Sequence, residues 1–213
     1  MCIDYKVPFY PNTEDNTHCF QAALKMVIKY FQSNRELSWE ELEKLTGKKG
    51  NLWTWPLATI VWMKNQGYEV IDIEMFDYKE FVKDKEKYLL RFYGNEVGNE
   101  QIKHSDVTQE VKYAKQLIKT NLVTKDVPTI QTIKGLLEEK YLMICLVNSH
   151  KLNSKEGYVG HFVVVKGIEE NNLIIHDPGL PPLENRKISI HDFEQAWSVP
   201  DVNAKNVLAF RFT

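Results

Sequence analysis

The sequence predicts an α+β domain, and three patterns carry that expectation. Near the start of the chain Phe20, Ala23, Leu24, Val27, Ile28 and Phe31 recur at helical spacing, with Lys25, Lys29 and Gln32 turned to water. Towards its end come Tyr141 to Val147, Phe162 to Val165 and Leu173 to Ile175, apolar runs of strand length separated by polar turns. The order is therefore helices first and antiparallel strands last, which packs an N-terminal helical lobe against a C-terminal sheet. The 213 residues, 43% of them hydrophobic, are enough for one core. Residues 1–213 are expected to form a single domain with a helical insertion at about residues 78–140.

The elements follow in order. Val7-Pro8-Phe9-Tyr10-Pro11, apolar and interrupted by proline, suits an extended edge segment, and residues 12–18 form a polar loop. Asn16 and Thr17 are both good N-caps, which puts Cys19 in the first turn of the opening helix. Ser38-Trp39-Glu40-Glu41 has capping-box spacing, and Gly47 ends the short helix that it starts. Thr54 and Pro56 introduce a helix from Leu57 to Asn65, with Leu57, Ile60, Val61 and Trp62 expected inward. Tyr68 to Met75 alternates as a strand does. Three helices are expected next, at about Tyr78–Tyr93, Asp106–Lys119 and Thr129–Glu139, and runs such as Lys83-Asp84-Lys85-Glu86-Lys87 are solvated helix faces. Beyond the strands at 141–147, 160–168 and 173–179, Lys187 to Ile190 suits a short strand, His191 to Trp197 a helical turn, and Val207 to Phe212 a last strand.

Composition narrows the function classes. With 27 basic and 29 acidic residues interspersed along the chain there is no general field for nucleic acid or an anionic membrane. No stretch has the length of a membrane span, and Met1 to Lys6 is unlike a signal sequence, so membrane insertion is not expected and a cytoplasmic location is. Cys2, Cys19 and Cys145 are odd in number and far apart, which argues against a disulfide framework or a zinc site and for reduced thiols; no cofactor or metal is expected.

Three positions combine as chemistry. Cys19 at a helix start would meet unpaired amides and the positive end of the helix dipole, which favour a thiolate. His161 opens a buried strand and Asp177 closes the next one, so the two can meet across a hairpin. A thiol nucleophile needs a base in reach, and the base needs a third group to fix its tautomer. Each residue alone has a plainer reading: a packed cysteine, a core histidine, an Asp-Pro-Gly turn. Cys145 lies in a continuous apolar run and is expected only to pack. His18 is expected in the loop, His176 on the opposite face of its strand from Asp177, and His104, His150 and His191 at the surface. Trp53, Trp55 and Trp62 are expected in the core, with a substrate-pocket wall as the alternative.

With these pieces in place the sequence resembles the papain-like peptidases that process double-glycine leader peptides of bacteriocins, in particular their stand-alone relatives without a transporter. The resemblance rests on Val7-Pro8-Phe9-Tyr10, the Cys19 helix ending in Met26-Val27-Ile28-Lys29-Tyr30-Phe31, Gly160 to Gly167, His176-Asp177-Pro178-Gly179 and Phe193-Glu194-Gln195-Ala196-Trp197, in the family's order. It implies a papain-like fold, Cys19 as nucleophile, His161 as general base and then acid, Asp177 as the orienting residue, and a peptide or protein substrate. Two positions depart from the family pattern. Thr13 stands where the family has an oxyanion-hole glutamine, leaving Asn12, Thr13 and Asn16 as candidate donors, and Phe20 stands where the family has glycine. The reading is a cysteine peptidase-like thiol hydrolase cleaving a peptide or isopeptide bond. A weak or inactive peptide-binding module and a deamidase or transglutaminase-like enzyme remain the alternatives.

Overall fold

The computed structural model describes residues 2–212. Strand β1 (Cys2–Asp4) is followed by helices α1 (Cys19–Phe31), α2 (Trp39–Thr46) and α3 (Leu57–Asn65), then strand β2 (Glu69–Glu74). A helical stretch holds α4 (Tyr78–Asp84), α5 (Glu86–His104) and α6 (Val107–Leu117), and leads through the two-residue β3 (Val123–Thr124) to α7 (Ile130–Glu138). The rest is β4 (Leu142–Asn148), the single turn α8 (Ser149–Leu152), β5 (Gly160–Glu169), β6 (Asn172–Asp177), β7 (Leu183–Ser189), α9 (Ile190–Trp197) and β8 (Asn206–Arg211). The strands run in the order β3-β2-β8-β4-β5-β6-β7, and β1 also pairs with β5, at Gly167 to Glu169. All pairings are antiparallel except that of β2 with β3. The class is α+β, as the order of the patterns implies.

Both faces of the sheet are covered, which is why β4 and β5 are apolar at consecutive positions rather than alternate ones. One face, with Leu142, Ile144, Phe162, Val164, Leu208 and Phe210, packs against α1 to α6. The other, with Met143, Cys145, Val147, Val163, Val165 and Ile175, packs under α7 and α9 through Leu137, Phe193 and Trp197. The helices of residues 78–140 thus divide between the two faces.

Local chemistry sets several boundaries. Ser38 and Glu41 form the reciprocal capping box of α2, and Gly47 closes that helix at φ 68°. The expected helix from Tyr78 to Tyr93 is instead two, because Lys85 sits at φ 53° between α4 and α5, and a second break falls at Gly94 (φ 74°) within α5. In α3 the buried positions are Leu57, Thr59, Ile60 and Met63, whereas Val61 and Trp62 are half-buried and the Arg35 guanidinium covers the Trp62 ring. The helix is wedged between α2, α6 and β2, so its inward face is turned one position from the expected one. Strand β7 starts four residues before the expected Lys187.

Candidate active site

The loop of residues 12–18 is built around Asn12. Its carboxamide oxygen accepts the amides of Thr13 (2.9 Å) and His18 (2.7 Å), its Nδ2 donates to Asn16 Oδ1 (2.8 Å), and its own amide donates to the Pro178 carbonyl (2.8 Å). The last bond ties the start of α1 to the turn beside Asp177. His18, not Asn16 or Thr17, is the N-cap residue; no side chain caps α1, and Asn12 from six residues back accepts the amide of His18 itself. The His18 ring is buried and spans Thr13 Oγ1 (2.7 Å) and Glu43 Oε1 (2.6 Å), which fixes the loop on α2.

Cys19 is therefore the first residue of α1, half-buried at the wall of a cleft of about 550 Å³. His161 Nε2 is 2.7 Å from Asp177 Oδ1, and Cys19 and His161 line the same cleft, close enough for the imidazole to act on the thiol. Burial alone would raise the Cys19 thiol. The hydrogen bond and charge of His161, with the amides of Phe162 and Phe20, outweigh it and hold the thiol below its ordinary value. Burial likewise opposes charge on His161, but the bonds to Asp177 and Cys19 carry its imidazole up to about 10. Asp177 is lowered: burial acts upwards, and His161, the Gly179 amide and Arg186 overcome it. All three directions favour a thiolate and an imidazolium held as a pair beside a carboxylate.

Arg186 is a member of this group that the sequence reading missed. From β7 its guanidinium donates to Asp177 Oδ2 (2.8 Å) and to the Leu152 carbonyl (2.6 Å). Nothing in Glu184-Asn185-Arg186-Lys187 distinguishes it from its basic neighbour Lys187; the distinction is made by the irregular register of β6 on β7 between Ile175 and Asp177.

The remaining candidates separate by their contacts. Thr13 Oγ1 lies among Asn12, Asp15 and His18 and is absent from the cleft wall, whereas Asn16 lines the cleft with its Oδ1 occupied by Asn12. Phe20 is buried against Phe162 (ring centroids 4.8 Å apart) and also lines the cleft. Trp53 and Trp55 wall it, which is the alternative rather than the expected role for them. His176 is buried with Nε2 on the Val7 carbonyl (2.9 Å) and Nδ1 on the Asn185 amide (3.1 Å), and so clamps the N-terminal segment. His150 lines the cleft, His104 is half-buried in a stack on Trp53, and only His191 is exposed. Cys145 is fully buried, which pushes its thiol up. Among the described residues no three His, Cys, Asp or Glu side chains are grouped to hold a metal ion, and no helix is long and apolar enough to cross a membrane.

The sequence pattern of the peptidase C39 family matches residues 87–200, more than half of the chain, a stretch that contains His161 and Asp177 and begins after Cys19. The chain belongs to the peptidase C39 family. It is accordingly a cysteine peptidase. Three solved structures share the fold of this C39 peptidase. The peptidase domain of Streptococcus ComA, a bi-functional ABC transporter of a quorum sensing pathway, has a TM-score of 0.52 at 18% identity, over 98% of this chain and 99% of that one. A double glycine motif protease from an AMS/PCAT transporter, in complex with its leader peptide, has 0.52 at 16%, over 100% and 99%. A C39-like peptidase from Bacillus anthracis has 0.51 at 12%, over 100% and 98%. No curated protein matches the sequence.

Proposed function

We propose that this C39 peptidase hydrolyses a peptide or isopeptide bond through Cys19, His161 and Asp177, by way of an acyl-enzyme. One observation carries the reading: Cys19, His161 and Asp177 meet in one cleft, with His161 hydrogen-bonded to a carboxylate that Arg186 holds in place. The Cys19 thiolate attacks the amide carbonyl, and the imidazolium of His161 gives its proton to the leaving nitrogen. Water, deprotonated by the same ring, then releases the acyl group as the acid and restores the thiolate–imidazolium pair. Asp177 keeps its negative charge throughout and fixes the ring orientation. The oxyanion would lie between the Cys19 amide and Asn16. Of the three candidate side chains, Asn12 has spent its Nδ2 on the loop and Thr13 faces away, whereas Asn16 lines the cleft with its Nδ2 uncommitted.

In this reading the substrate is a peptide or protein segment, and the chain works as one papain-like domain. The insertion at about residues 78–140 contributes the far cleft wall through Tyr78, Tyr93 and Gln101. A reducing compartment, the cytoplasm, keeps Cys19 as a thiol.

Alkylation by iodoacetamide tests the proposal, because the chain carries its own controls: Cys2 is exposed and Cys145 is buried. Near pH 6.5 Cys19 should react faster than Cys2 despite being less exposed, and His161→Ala should remove that advantage. Cys19→Ala should abolish peptide cleavage, and product masses distinguish hydrolysis from deamidation or transfer. Equal rates at Cys19 and Cys2, with cleavage intact in Cys19→Ala, would sink it.

A further inference from the structure

The floor of the cleft is the face of the sheet that α1 packs on, and its polarity changes from one end to the other. From the His161 side it is paved by Phe162, Ile144 and Leu208, and then, on β2, by Asp72 and Glu74. The register explains the path: Ile144 pairs with Leu208, and Leu208 with Asp72, so their side chains share one face.

Asp72 is 3% exposed, and its Oδ2 is buried with no hydrogen-bond partner. Glu74, two residues on along the same face, accepts the Tyr78 hydroxyl and lines the same cleft. Among the described residues neither carboxylate is in an ion pair with a lysine, arginine or histidine. An unpartnered buried carboxylate is costly and serves no packing purpose. Ile71 and Ile73, on the opposite face of the same strand, show that the strand has apolar residues to offer. Around the two acids the cleft is walled by Trp55, Phe76 and Tyr93, and Phe76 lies 5.8 Å from the Trp55 ring and 6.0 Å from that of Tyr93. Carboxylates framed by aromatic faces form an environment for a cation with an apolar stem.

We propose that the β2 end of the cleft is a specificity subsite for a cationic side chain of the substrate, lysine or arginine, whose charge is received by Asp72 and Glu74. The inference rests on the proposed use of the cleft for a peptide. From β5 to β2 is three interstrand steps, about 14 Å, a span that a short extended backbone segment and one long side chain cover together. Burial, with repulsion between the two acids, raises both carboxyls, Glu74 to about 7, and a cation beside them would favour their charged forms.

The test uses full-length Cys19→Ala protein and acetylated alanine pentapeptide amides carrying one arginine at each position in turn, compared by calorimetry with peptides that carry citrulline there. At one position arginine should bind at least tenfold more tightly than citrulline, and Asp72→Asn combined with Glu74→Gln should erase the difference. Equal binding of the two series at every position, a preference that survives the double substitution, or no binding of any arginine peptide would overturn the inference. The arginine–citrulline comparison on protein with Asp72 and Glu74 intact needs no folded variant of the acid pair. Because binding is read without the thiol, these outcomes are independent of iodoacetamide reactivity at Cys19, so failure of the subsite and failure of the catalytic reading are told apart.

Discussion

Asp177 and Asp72 are the same residue type, each on a strand of the same sheet and each 3% exposed, yet their acidities are pushed in opposite directions. Asp177 ends β6 among His161, Arg186 and the Gly179 amide, and its carboxyl lies below the usual value. Asp72 sits in mid-strand on β2 beside a second acid and is pushed well above it. Burial raises both; the donors and cations supplied to one and withheld from the other decide the sign. Depth alone therefore says little about what a buried acid does. The partnered acid is part of a hydrogen-bonded chain, whereas the unpartnered one lines an open cleft.

The comparison breaks most visibly if Asp177 is removed. Asp177→Ala leaves the His161 and Arg186 cations without their counter-charge in a dry site, a loss on the order of 3–5 kcal/mol. The reactivity of Cys19 at neutral pH should fall to that of an ordinary thiol. Urea melts and iodoacetamide rates measure the two effects; an unchanged melt would mean that the His161–Asp177–Arg186 chain is not formed.

The two sites should also respond to pH in opposite directions. Asp177 has a depressed folded-state value, so its contribution is present at neutral pH and is lost as pH falls through the acid range. Asp72 and Glu74 have raised values, so stability is full below the ordinary carboxylate range and is lost as pH rises through about 7. Between pH 5 and pH 8 the wild type should lose on the order of a few kcal/mol more than Asp72→Asn/Glu74→Gln, whose amides do not ionise. Parallel pH profiles would show that the pair is charged and solvated after all. A smaller effect is expected from Arg186→Gln, which removes one charged donor and keeps the His161 bond. About 1–2 kcal/mol and a partial loss of Cys19 reactivity should follow, and a full loss would make Arg186 the dominant partner of Asp177.

Much of the fold was legible because it is written in short-range chemistry. Ser38, Glu41 and Gly47 bound α2 through contacts within a few residues, and the apolar runs of β4 and β5 announce strands covered on two faces. The position of Cys19 at a helix start and the pairing of His161 with Asp177 across a hairpin were readable for the same reason. What was not legible depended on distant partners. Asn12 takes the His18 amide from six residues away, and Arg186 reaches Asp177 only through a register irregularity. On β2 the alternation was visible, but it does not say which face is inward: Asp72 and Glu74 share the α1 face with Val70 because Leu208 and Asn206 of β8 are their partners. The break at Lys85 was hidden by a run of good helix formers, which give no local reason for a positive φ.

Cys19 belongs to the helical layer, and His161 and Asp177 belong to the sheet. Phe20 against Phe162, and the Asn12 amide on the Pro178 carbonyl, are what align the two. The nucleophile and its base are thus registered by an interface and not by a shared backbone, so a slip of one layer on the other by about an ångström disconnects them while every strand and helix stays intact. The sulfur's reactivity is in this sense a vernier: it reads the alignment of two whole layers, and warming should blur that reading well before the chain melts.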